Sequence, residues 1–302
     1  MIVDPKLFFK TYLKNYHRHK AIYLKELLDN LSRYEDAILT TDHLHENRAE
    51  LQLTLRSDLR QTYFHAIETF FELFFALKPI NGHLQDDQSV MVRLTNAKWQ
   101  DNYKMIRDIA ENDAALNFLD EQITFQGHTI SAAHYLFYPC ISPTGKLPED
   151  LFKHIRESLD AAKYGIRMIA SDFIDREEYN AYKHGLRLIP ASQKLMLADP
   201  ETMEVRIEWD ISQSMSYYVK AKKPGSVRIE TKLFDSERDF KMTLFCANLI
   251  YNMVYYRQVM MYKPDDETTH FAIHFFDKEG IEDCEKINVS IQNLVFSFEQ
   301  TD

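Results

Sequence analysis

"SVRIETKLFDSERDFKMTLFCANLIYNMVYYRQVMMY", residues 226–262, changes its repeat part-way along. Its first residues alternate polar and apolar, the two-residue period of a strand with one face buried. From Ser236 onward the apolar residues return at the three-to-four spacing of a helix. The junction carries a start signal: Ser236 is placed as N-cap, and Asp239, three residues on, stands in for the Glu or Gln of a capping box. The helix is expected to run to about Tyr262. It is the most apolar long segment of the chain, yet Lys241, Asn248, Asn252, Arg257 and Gln258 interrupt it. That is too many polar groups for a bilayer span, so the segment reads as a core helix.

Outward from this junction the chain divides by period. Upstream, "KLMLAD" (194–199), "EVRIEWDI" (204–211) and "MSYYVKA" (215–221) are short β-type runs separated by "DPET" and "KKPG". They predict a small antiparallel β insertion over residues 191–234. Downstream, "HFAIHFF" (270–276) and "INVSIQNLVFSFE" (287–299) alternate again and predict two further strands. Everything before Pro190 reads as helix. Asp4 and Pro5 start a long helix to about residue 35, and a second covers 47–78, stopping before Pro79 and the Asn81-Gly82 loop. Shorter helices are expected at 96–111, 113–121 and 130–138, with a break at Gly127. Two more follow at 148–171 and 175–185. The expected fold is mainly α: a helical bundle (1–190), the β insertion, then a long helix with strands (235–302). Because "IPASQ" is the only candidate linker and is short, one integrated domain over 1–302 is expected.

Composition narrows the class of function. With 45% hydrophobic and 13% aromatic residues the chain can fill a sizeable core, and 7 glycines and 9 prolines are too few for an all-β chain full of tight turns. The net charge of −10 is shared by both halves, which argues against a basic nucleic-acid module. Cys140, Cys246 and Cys284 lie far apart without a C-x-x-C pair, so a reducing compartment fits. The first twenty residues lack a signal-peptide core, and a cytoplasmic protein with no membrane association is expected. No dinucleotide, P-loop, nucleophile-elbow or zincin motif occurs, and no cofactor is called for. His-x-x-Glu recurs at His43/Glu46, His65/Glu68 and His154/Glu157, but a di-metal bundle needs Glu-x-x-His on facing helices. The one such pair, Glu267/His270, falls outside the bundle, so no metal site is expected.

Two polar stripes are the candidate sites. On the helix containing "RSDLRQTYFHAIETFFELFFALKP" (56–79), Phe64, Ile67, Phe71, Phe74 and Phe75 form a core face. Arg56 and Arg60 fall in the same arc, so Arg60 needs an acidic partner from another helix. His65, Glu68 and Glu72 form a separate edge. On the helix within "EYNAYKHGLRLIP" (178–190), Asn180, Lys183, His184 and Arg187 line up, with Gly185 suited to a left-handed C-cap. Complementary edges predict that this helix packs beside 47–78, with Glu68 or Glu72 reaching Asn180, Lys183 or His184. Glu68, Glu72, Asn180, Lys183, His184 and Arg187 would then be the ligand-binding set.

The spacing of Arg60 and His65 resembles the R-x(4 to 6)-H signature of the HEPN superfamily, and "NAYKHG" (180–185) is similar to a helix end in HEPN-like helical proteins of bacteria. The resemblance implies RNA as partner, a homodimer, and Arg60 and His65 as catalytic residues flanking a scissile phosphate without metal. The residues read alone point instead to a non-catalytic interaction or scaffold protein with a protein partner. An RNase should bring Arg60 and His65 into one cleft, whereas a scaffold should bury Arg60 in a salt bridge and leave His65 exposed.

Overall fold

A computed structural model of the chain describes residues 4–38, 44–141, 148–183, 188–189, 194–199, 202–210, 214–220, 227–233, 235–261, 272–288 and 294–298. The protein is mainly α with antiparallel strands inserted before a long late helix, as expected. Its helices are α1 (Pro5–Thr11), α2 (Tyr16–Asp29), α3 (Leu31–Ile38), α4 (Leu44–Leu77), α5 (Asp87–Thr95), α6 (Trp99–Glu111), α7 (Ala132–Phe137), α8 (Glu149–Ile174), α9 (Arg176–Lys183), α10 (Ser236–Tyr256) and α11 (Lys278–Asn288). The strands are β1 (Gln122–Phe125), β2 (His128–Ser131), β3 (Leu188–Ile189), β4 (Lys194–Ala198), β5 (Val205–Asp210), β6 (Ser214–Lys220), β7 (Val227–Leu233) and β8 (Leu294–Phe298). No helix among the described residues is long and apolar enough to cross a membrane.

The chain forms two compact units, each assembled from separate stretches of sequence. Unit 1 takes residues 1–21, 62–174 and 241–284; unit 2 takes 22–61, 175–240 and 285–302.

Unit 1 is built around the second part of α4. Phe64, Ile67, Phe71, Phe74 and Phe75 are all buried, and so are Tyr63, Ala66, Phe70 and Leu73 from the remaining directions. A helix that is apolar nearly all round must be wrapped by its neighbours. Phe74 meets Phe118 and Phe137 at ring separations of 5.6 and 6.4 Å, and Phe64 meets Phe173 of α8 at 6.5 Å. Unit 2 contains the four-stranded antiparallel sheet in the order β3-β6-β7-β8 and the separate β4–β5 hairpin. In the sheet Ser216 pairs across to Thr231 with side-chain oxygens 2.7 Å apart, and Tyr217 donates to its neighbour Glu230 at 2.9 Å.

Several boundaries differ from expectation for identifiable reasons. The first long helix is broken into α1, α2 and α3. At the end of α1 the Gln258 side-chain amide donates to the carbonyls of Phe9 and Tyr12, while Lys14 donates to its oxygen at 2.6 Å. A distant side chain thus satisfies carbonyls that helix continuation would have used. The β1–β2 hairpin was not anticipated. Gln126 and Gly127 have φ of 49° and 79°, the left-handed pair of a tight hairpin turn, but a Gln at the first position hides the signal. Helix α5 was missed too; Asp86 caps it by accepting from Ser89 N at 2.7 Å. At α10 the cap is Asp235, whose carboxylate accepts from Arg238 N at 2.9 Å, not Ser236. The helix gives way after Tyr256 to a π-helical turn, Arg257–Met261, and Tyr262 lies outside the described residues.

The tail contains one expected strand, β8, which pairs with β7. Residues 272–276, the described part of "HFAIHFF", have no regular structure, and Asn288 closes α11 within the stretch "INVSI" that the sequence predicts as strand. The segment's polar backbone is satisfied by side chains instead of a ladder. Asn252 donates to His274 O at 2.7 Å and accepts from His274 N at 3.0 Å, and Ser158 accepts from Phe276 N at 2.5 Å. Asn252→Leu should therefore destabilise unit 1 by about 1–3 kcal/mol, read from the urea midpoint, because the His274 N–H loses its Asn252 acceptor and the His274 carbonyl keeps only the Tyr138 hydroxyl, at 3.1 Å. A midpoint equal to wild type would refute this.

Candidate functional site

The densest group of charges among the described residues surrounds Arg60 in unit 2. Its position follows from local patterning. Leu55 and Leu59 bury one stripe of α4, which turns Arg60 inward, and its side chain is only 12% exposed. On α9 the residues Glu178, Tyr179, Ala181 and Tyr182 are buried, with Ala181 against Tyr217 of β6. That orientation points Glu178 at Arg60. Asp235 caps α10, and Asp239, one turn on, is buried as well.

The geometry is that of a three-element ion cluster. Arg60 Nε donates to Glu178 Oε1 at 2.8 Å and Nη2 to Oε2 at 3.3 Å, a forked pair, while Nη1 donates to Asp239 Oδ1 at 2.6 Å. Lys232 of β7 donates to Glu178 Oε2 at 3.0 Å and to Asp175. Helices α4, α9 and α10 and strand β7 are thereby tied through four side chains. Burial alone would raise the Glu178 carboxyl, but Arg60 and Lys232 outweigh it and hold it down at about 2. For Asp239 burial wins: it has Arg60 on one side, but Glu178 adds a like charge, and its carboxyl is pushed up to about 6. Burial pulls the Lys232 ammonium down, and Glu178 and Asp175 more than restore it. Tyr182 and Tyr217 are held well above the usual phenol value by burial first and then by Glu178.

These shifts set a pH dependence. Asp239 is raised in the folded state, so its contribution is fully present below about pH 4 and is lost as pH rises through about 6. Glu178 is depressed, so its contribution is present above about 4.5 and is lost as pH falls toward 2. Asp239→Asn should remove the first limb only. The stability difference between wild type and variant is expected to shift by on the order of 2 kcal/mol in the variant's favour between pH 4.5 and 6.5. Trp99 lies in unit 1 and Trp209 in unit 2, and the chain has 2 tryptophans, so a Trp99→Phe background lets fluorescence follow unit 2. A pH-independent difference would contradict the assignment.

No family model, curated protein or solved structure matches the chain.

The sequence-predicted residues fall into different units. Arg60, Asn180 and Lys183 belong to unit 2; His65, Glu68 and Glu72 belong to unit 1. His65 is exposed, its ring 4.8 Å from His17 and 6.1 Å from Tyr16. His17 donates to or accepts from Thr69 at 3.0 Å, and burial, then the neighbouring His65 and Lys20, pulls it down to about 3. Glu68 and Glu72 border a crevice of about 10 Å3 beside Trp99 and Tyr103, the room of one water at most. Lys183 is exposed with Nζ 5.3 Å from the Tyr179 ring centre, and Asn180 is half-buried. His184 and Arg187 lie outside the described residues.

Helix α9 does meet α4 within unit 2, but with the polarity opposite to expectation: α9 supplies the acid, Glu178, and α4 the base, Arg60. The residues that reasoning from sequence missed are Glu178, Lys232 and Asp239. The sequence reads Asp239 as a local capping group, and Glu178 lies off the stripe of Asn180, Lys183, His184 and Arg187, two residues before its start. Among the described residues no group of three or more His, Cys, Asp or Glu could hold a metal ion.

Proposed function

We propose that this protein is a non-catalytic interaction protein that holds a protein partner and does not turn over a substrate. The reading is carried by Arg60, whose guanidinium serves two buried carboxylates at 2.8 and 2.6 Å. Recruiting it to a scissile phosphate would break a buried pair, at a cost of several kcal/mol that phosphate binding would have to exceed. The exposed His65 has its ring 6.1 Å from that of Tyr16 and 4.8 Å from that of His17. A cluster whose charges pair α4, α9, α10 and β7 with one another fixes register and shape, which is what a binding scaffold requires.

The test is cleavage and retention of single-stranded RNA by the purified chain in the presence of a chelator. Wild type and His65→Ala are expected to be equally inert, with no retention at 150 mM salt. Metal-independent cleavage by wild type that His65→Ala loses, at unchanged melting temperature, would overturn the proposal in favour of a HEPN-like RNase.

A further inference from the structure

In unit 1 the Tyr251 ring of α10 is the common neighbour of three bases that come from distant parts of the sequence. Lys14, in the turn before α2, places Nζ 5.4 Å from the ring centre, and the His274 ring meets it edge-on at 4.8 Å. Arg18, in the first turn of α2, donates from Nη1 to the oxygen of Asn248, one helical turn before Tyr251, at 3.0 Å. Its charge acts on both neighbours. Burial and then Tyr255 raise the Tyr251 phenol above its usual value while Arg18 opposes the rise; burial pulls the His274 imidazole down and Arg18 pulls it further. Lys14, Arg18, Tyr251 and His274 are all half-buried, so each keeps a face toward solvent.

The side chains are held in place. Lys14 Nζ donates to Gln258 Oε1 at 2.6 Å, and Tyr251 stacks on Tyr255 with ring centres 5.0 Å apart. The Tyr255 hydroxyl accepts from Ala272 N at 3.3 Å, and Asn252 grips both backbone groups of His274. Groups fixed in this way lose little freedom when a ligand arrives.

Charge sets this group apart. Lys25, Lys163, Lys232 and Arg257 each reach a carboxylate. Lys14 and Arg18 reach only the neutral amide oxygens of Gln258 and Asn248, and among the described residues no carboxylate pairs with Lys14, Arg18 or His274. Burial pulls the Lys14 ammonium down, as happens to a cation that loses water without gaining an acid. The first turn of α2 contains no acid, and the positive end of its dipole adds to the same field. On a chain of net charge −10 this is a local reversal of sign.

The ligand that answers it is a compact dianion. Two permanent cations match the charge of about −1.5 to −2 on a phosphate monoester at pH 7, where a carboxylate brings only one. The Arg18 fork suits phosphate oxygens, and the Tyr251 hydroxyl and a neutral His274 offer donors without further charge. A long polyanion would meet the repulsion of the whole acidic chain.

We propose that Lys14, Arg18, Tyr251 and His274 form a binding site for the phosphate group of a small phosphate monoester. The site lies in unit 1 and does not rest on the reading of Arg60.

Calorimetric titration of the full chain at pH 7.5 with phenyl phosphate, methyl phenyl phosphate and benzoate tests it. Saturable binding of one phenyl phosphate per chain is expected, with both monoanions at least fivefold weaker. Lys14→Gln/Arg18→Gln should lower phenyl phosphate affinity at least tenfold. Lys104→Gln/Arg107→Gln, which removes the same charge from exposed side chains of α6, should change it less than twofold. Should the first variant fold poorly, wild type alone decides: the order of the three ligands must hold, and phenyl phosphate affinity must fall between 50 and 500 mM sodium chloride. Absence of saturable binding, a monoanion bound as tightly as phenyl phosphate, or equal effects of the two double variants would each overturn the proposal. So would tighter binding of a single-stranded oligonucleotide that the first variant loses, which would make the group a nucleic-acid surface.

Discussion

Arg60→Ala is expected to lower the stability of unit 2 by about 3–5 kcal/mol, the largest effect of any single replacement considered for this chain. The magnitude follows from what is removed. Glu178 and Asp239 have side-chain exposures of 4% and 2%, and truncating Arg60 takes the 2.8 Å donor from one and the 2.6 Å donor from the other. Asp239 would then be forced toward its neutral form at pH 7, and the loss should shrink as pH falls below 6. Replacing Arg60, Glu178 and Asp239 together by apolar residues of similar volume should recover much of the loss, since an intact buried ion cluster is itself only modestly stabilising. Denaturant titration followed at Trp209 measures both. A single variant as stable as wild type would show that the cluster is solvated and energetically idle.

Gly165→Ala is expected to destabilise unit 1 by about 1–3 kcal/mol, although alanine favours a helix interior over glycine by close to 1 kcal/mol. A Cβ at this position of α8 would fall within 3.0 Å of three ring carbons of Phe245 on α10, closer than carbon atoms can pack. That ring is itself buried, so it cannot swing into solvent to make room. Two helices approach here as closely as a missing side chain allows. Combining Gly165→Ala with Phe245→Leu should return part of the lost stability, a coupling read from a double-mutant cycle. Additive losses in the double variant would mean the close approach is not the cause.

Both results bear on how far the fold could be read from residues. Periodicity located α4, α8, α9 and α10 because each sustains its pattern for two turns or more, and the aromatic face of α4 was legible for the same reason. The breaks were not, since they depend on partners remote in sequence: Gln258 ends α1 from more than 240 residues away. Arg60 could be marked as needing an acid because its wheel position is a local property. Which acid could not be named, because Glu178 and Asp239 reach it only through the packing of α9 and α10 onto α4. "HFAIHFF" misled in the opposite sense, having the alternation of a strand while its amide groups are claimed by Asn252 and Ser158.

That last arrangement also bears on how the chain behaves in company. An apolar, alternating run such as residues 272–276 is the kind of sequence that recruits a matching run from another molecule and seeds cross-β growth. Here the His274 N–H and C=O are both engaged by one asparagine, and the Phe276 N–H by a serine, so an incoming strand finds the docking groups already occupied. Asn252 and Ser158 are thus placed to hinder self-association as well as to support the segment, and a variant lacking both is expected to scatter light on warming at a lower temperature than wild type.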